Sequence, residues 1–143
     1  MKKLVICVLI VLLILPPLRF ASADCNESQI DDPILERFIG LLQATAAISA
    51  SGNTAKCQGV ARAKSNEYSL QVTMTLQRKS FIVWKSVTSW NGTGIGYVGV
   101  TLSESESGVS AGTYRTKLYV EVYDSGGNYV ESTTVYSKSI KIE

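Results

Sequence analysis

The stretch Tyr68-Ser-Leu70-Gln-Val72-Thr-Met74-Thr-Leu76-Gln77 decides the fold class. Apolar side chains alternate with polar ones, and a period of two puts them on opposite faces of a strand, one buried and one wet. A second stretch repeats the pattern: Tyr114, Thr116, Leu118, Val120 and Val122 alternate with Arg115, Lys117, Tyr119, Glu121 and Tyr123. Tyr68, Leu70, Val72, Met74, Leu76, Leu118, Val120 and Val122 are therefore expected to meet in one core.

Working outward, the same period runs through Gln43 to Ala50, turns at Ser51-Gly-Asn53, and returns through Ala55, Cys57, Gly59 and Ala61. Ser65-Asn-Glu67 makes the next turn. Phe81 to Trp90 is rich in β-branched and aromatic residues, and its apolar parity slips between Trp84 and Val87, which predicts a bulge near Lys85-Ser86. Asn91-Gly92 reads as a turn, Ile95 to Leu102 as a strand, and Ser103 to Gly112 as a polar loop. Asp124-Ser-Gly-Gly-Asn128 turns the chain into a last strand, Tyr129 to Ile142. About seven strands at spacings near a dozen residues predict an all-β fold, an antiparallel immunoglobulin-like β-sandwich.

The N-terminus differs in kind. Lys2-Lys3 precede an uncharged apolar run, Leu4 to Leu15, which Pro16-Pro17 terminate. Ala21-Ser-Ala23 follows. A basic start, a short apolar stretch and a small-x-small site describe a secretory signal peptide, with cleavage expected after Ala23. The run is shorter than the roughly 17 residues a spanning helix needs. Asp24 sets Cys25 apart from a lipidation site. The expected organisation is thus 1–23 signal peptide, 24–33 polar N-terminal extension and 34–143 sandwich, in a protein that is secreted or held at the cell envelope. Ile34 to Leu42 reads equally as a short helix after Asp32-Pro33 or as an extended lead-in strand. Removing Lys2, Lys3 and Arg19 turns the net charge of +2 into about −1, with no basic stripe to suit nucleic acid. Membrane contact is expected only through the uncleaved signal peptide.

Cys25 and Cys57 remain as an even pair in an oxidising compartment. Two readings stay open. A bridge would close a loop of about 30 residues, contributing roughly 3 kcal/mol. Alternatively both are free thiols, with Cys57 buried as a small hydrophobe.

The chain contains no histidine, which removes Ser-His and Cys-His catalysis and histidine-ligated zinc. The acids at Asp31-Asp32 and Glu104/Glu106 read as solvated loop residues, and no cofactor is expected. The outward parity of the Tyr114 strand offers the one candidate binding surface: Arg115, Lys117, Tyr119 and Tyr123, aromatics beside charges.

Two resemblances add to this reading. Gly112-Thr-Tyr-Arg-Thr-Lys-Leu-Tyr-Val-Glu-Val122 resembles the penultimate strand of immunoglobulin-like and fibronectin-type sandwiches, where an early tyrosine bonds back to the backbone. Ser51-Gly-Asn-Thr-Ala-Lys-Cys57, Met74-Thr-Leu-Gln-Arg-Lys79, Trp84, Ser89-Trp90 and Gly112-Thr-Tyr-Arg115, in that order, resemble a group of small secreted proteins of clostridia-like Gram-positive bacteria classed as a domain of unknown function. That resemblance implies export and β architecture; it implies no activity and no site. The expected function is a non-enzymatic extracellular binding module for a glycan, an envelope component or a protein. The alternatives are a self-assembling structural protein and an enzyme of unrecognised type.

Overall fold

The computed structural model describes residues 26–29 and 37–143. The expected signal segment, Cys25 and Ile34 to Glu36 lie outside them. The described residues form two antiparallel sheets and no helix. The first sheet has the order β1-β2-β3-β6, formed by Asn26–Gln29, Leu41–Ser51, Thr54–Ala63 and Val100–Glu106. The second has the order β5-β4-β7-β8, formed by Val83–Ile95, Ser69–Ser80, Gly112–Tyr123 and Tyr129–Tyr136, with β9 (Ile140–Ile142) also pairing with β7. Leu41 and Leu42 thus belong to a strand, and part of the polar N-terminal segment adds β1 at a sheet edge. Edge addition needs only backbone hydrogen bonds.

The core is asymmetric. The second sheet supplies bulk: Leu70, Val72, Met74 and Leu76 from β4, and Tyr114, Leu118, Val120 and Val122 from β7, all buried. The first supplies mostly small residues, Ala44, Ala46, Ala55, Cys57, Ala61 and Ala63, with Leu41, Ile48 and Val100 as its larger buried side chains. Seven of the eight expected core residues are fully buried, and Tyr68 packs half-buried against them. Large side chains from β4 and β7 pack against this mostly small-residue layer, so the two sheets come close.

Tyr114 turns the corner before β7: its hydroxyl donates to the Ser110 carbonyl at 2.6 Å. The two sheets are also tied at one side. Glu131 on β8 accepts from three backbone N–H groups at the start of β2, those of Ile39 (2.8 Å), Gly40 (2.8 Å) and Leu41 (2.9 Å). A carboxylate taking three charge-assisted bonds across sheets is a strong local staple. Glu131→Ala is expected to lower stability by about 1–2 kcal/mol, measured by urea unfolding, with Glu131→Gln losing less because its amide oxygen still accepts. Equal midpoints for all three proteins would show that the staple contributes nothing.

Several turns differ from the sequence expectation. Asn91-Gly92 lies inside β5, where Thr73 Oγ1 donates to Asn91 Oδ1 at 2.9 Å. Gly92 is small for another reason: a β-carbon there would come within 2.8 Å of Leu102 and 2.9 Å of Val100 on β6. It marks close approach of two sheets, a second meaning of glycine within a strand. The actual turn is Gly96-Tyr-Val-Gly99, whose glycines have φ of 59° and 64°. Ser103 to Glu106, expected in a loop, instead pair with β3, with Glu104 opposite Cys57. The last strand is interrupted at Ser137, whose hydroxyl accepts from the Thr116 N–H at 2.8 Å. The expected bulge is present at Val87, which is skipped between the pairs Leu76–Thr88 and Gln77–Ser86.

The β4–β5 turn also differs. Phe81, expected to begin a strand, forms with Ile82 a two-residue turn closed by the Ser80–Val83 pair. Phe81 has a φ of 55°, and no other non-glycine among the described residues has a positive φ. A β-carbon in that region costs about 1–2 kcal/mol.

Candidate functional site

The outer face of the second sheet gathers most of the aromatic side chains that the core does not use. Cross-strand register explains how. Residues paired in an antiparallel ladder project to the same face. The pairs Gln77–Arg115, Thr75–Lys117, Thr73–Tyr119, Gln71–Glu121 and Ser69–Tyr123 join β4 to β7. Lys117–Tyr136, Tyr119–Thr134 and Tyr123–Tyr129 join β7 to β8. The expected residues Arg115, Lys117, Tyr119 and Tyr123 therefore do share one face, in alternation with the buried Tyr114, Thr116, Leu118, Val120 and Val122.

The structure adds residues that the strand pattern alone did not bring forward. Arg115 is held between two rings, its guanidinium carbon 4.2 Å from the Trp84 ring centre and 4.0 Å from that of Tyr136. Its Nε donates to Gln77 Oε1 at 2.9 Å. Burial among these groups lowers the Arg115 pKa from its ordinary value, and Tyr136 acts in the other direction. Cation–π stacking of this kind orders both rings. Further along, Tyr123 and Tyr129 meet edge to face at 6.0 Å. Tyr119 donates to Glu121 Oε1 at 3.3 Å and Tyr129 to Ser132 Oγ at 3.0 Å. Desolvation first, then the Glu121 carboxylate, raise the Tyr123 phenol above its ordinary value. Tyr129 and Tyr136 remain 58% and 40% exposed. Between the rings lie hydroxyls and amides, including the Thr73–Asn91 and Thr75–Ser89 pairs.

At the Tyr123 end the face runs into an open cleft of about 620 Å³, lined by Asn66, Ser69, Leu70, Gln71, Thr93, Gly94, Ile95 and Val98. Ser69 and Gln71 are the register partners of Tyr123 and Glu121, so cleft and aromatic face are continuous. From Arg115 to Tyr123 the strand rises about 26 Å.

Cys57 lies on the opposite, buried side of the molecule's inner layer. Burial, the larger cause, pushes its thiol up from the ordinary value, and contact with Thr116 pulls the other way. The Thr116 hydroxyl is the one buried side-chain polar atom among the described residues without a well-formed hydrogen bond, because a thiol is a poor partner. The candidate bridge from Cys57 involves Cys25, outside the described residues. Among the described residues no three His, Cys, Asp or Glu side chains are grouped so as to hold a metal ion.

No family model, curated protein or solved structure matches this chain.

Proposed function

We propose that this chain is an exported, non-enzymatic, immunoglobulin-like sandwich that binds an extracellular glycan along the outer face of its β5-β4-β7-β8 sheet. The observation that carries the reading is that face: Trp84, Tyr119, Tyr123, Tyr129 and Tyr136 stand on it among hydroxyls, amides and the Arg115 guanidinium, and it continues into the cleft beside Gln71 and Thr93. Sugars present apolar ring faces and equatorial hydroxyls together. Flat aromatics with adjacent donors and acceptors match both. The Tyr114–Ser110 bond supports the immunoglobulin-like part of the reading. The basic start, broken apolar run and Ala21-Ser-Ala23 support export.

Self-assembly through a sheet edge is less well supported. Edge strand β5 carries Lys85 and a bulge at Val87, and Gly92 and Gly94 bring its second half against β6. Charges, bulges and covering strands all oppose edge-to-edge pairing.

Pull-down on cell-wall polysaccharide, followed by calorimetry with the retained oligosaccharide, tests the reading. Tyr123→Ala and Tyr136→Ala are each expected to weaken binding about fivefold or more, with melting midpoints near wild type. Retention unaffected by both changes, or capture of a protein in place of any glycan, would overturn it.

A further inference from the structure

We propose that the β4–β5 turn is a membrane-surface anchor that inserts shallowly into an anionic lipid interface. Phe81 and Ile82 form the turn and are 96% and 91% exposed, with Val83 half-exposed beside them. The pairing of β4 with β7 ends at Arg78–Tyr114, whereas β4 and β5 continue to Ser80–Val83. The hairpin therefore runs two pairs beyond its ladder with β7, and its apolar tip is almost fully exposed.

The surroundings select the occupant. Between Glu67 and Glu104 the chain has no acidic residue, and its only charges there are Arg78, Lys79 and Lys85, all near the tip. Arg78 is engaged, donating to the Ala111 carbonyl at 2.7 Å. Lys79 and Lys85 are exposed on the two strands just behind the turn. Trp84 pairs with Lys79 and lies between Val83 and Lys85, and tryptophan is favoured at the membrane–water boundary. An apolar point backed by an indole and a lysine at one level, with a second lysine one pair further back, matches acyl chain followed by an interface of anionic headgroups. A convex tip of two residues keeps its backbone groups near headgroups and water, so no unsatisfied ladder enters hydrocarbon. This departs from the expectation that membrane contact comes only through the uncleaved signal peptide, and the tip shares only Trp84 with the glycan face.

The test is sedimentation of the full chain with vesicles of phosphatidylcholine alone or mixed with phosphatidylglycerol, with brominated acyl chains reporting on tryptophan depth. Wild type is expected to favour the phosphatidylglycerol vesicles and to show quenched tryptophan emission. The F81G/I82S variant is expected to partition roughly tenfold less or weaker still and to lose the quenching. K79E/K85E is expected to abolish the preference for anionic lipid. The N-terminal apolar run is common to all variants, so it cannot produce the difference. Y123A/Y129A, which tests the glycan face, is expected to leave vesicle binding unchanged. Glycine suits the positive φ at position 81, so F81G/I82S is expected to melt no lower than about wild type. Equal partitioning of wild type and F81G/I82S, absence of tryptophan quenching, or binding of the tip to a protein with no vesicle binding would each overturn the proposal.

Discussion

Leu118→Ala is expected to destabilise the fold by about 2–5 kcal/mol, the largest effect of any single change considered for this protein. Leu118 is fully buried on β7, centred between β4 and β8. It also reaches across the sandwich: a β-carbon on Gly59 of β3 would lie 2.4 Å from Leu118 Cδ1. The side chain thus fills the hollow left by the absent one. Truncation removes its transfer free energy and opens a cavity between sheets that are pinned at both sides, by Glu131 on one and by the β5–β6 approach on the other. Collapse around the cavity is therefore limited. Urea unfolding should show a lower midpoint at unchanged slope; an unmoved midpoint would mean that Leu118 does not sit in the core.

The reverse change tests the same contact from the other sheet. Gly59→Val places three carbons where even the first would overlap Leu118, and its expected cost is about 1–3 kcal/mol. Because each change alters the space the other needs, the pair should not be additive. The double variant, with a small residue at 118 and a larger one at 59, is expected to recover about 1 kcal/mol or more relative to the sum of the two single losses. Strict additivity would indicate that the two side chains do not share that space. This cycle reports on the packing of the two sheets against each other, which no single substitution isolates.

The sequence readings succeeded where a local period was enough. The alternation from Tyr68 to Leu76 and from Tyr114 to Val122 identified the strands, their inward residues and the shared face of Arg115, Lys117, Tyr119 and Tyr123. The parity slip before Val87 placed the bulge within two residues. They failed at glycines and at polar segments. Asn91-Gly92 has turn chemistry, but β6 passes so close that glycine is needed there inside a strand. Ser103 to Glu106 looks like loop because an edge strand with a wet outer face has no apolar signature, yet its backbone pairs with β3. Phe81 looked like the start of a strand because its residue type favours one, although its positive φ makes it part of the turn.

By itself, then, the sequence determined the fold class, the main strands and most of the core, since these depend on residue type and on a period of two along one chain. Only the tertiary structure decided which strands neighbour which. That order places Trp84 from β5 and Tyr136 from β8 on either side of Arg115 from β7, and it leaves Phe81 and Ile82 exposed at the β4–β5 turn. Residues 31 positions apart and 21 positions apart meet at that guanidinium. Contacts at such separations follow from register between strands, and register is set by packing and turn geometry across the whole domain.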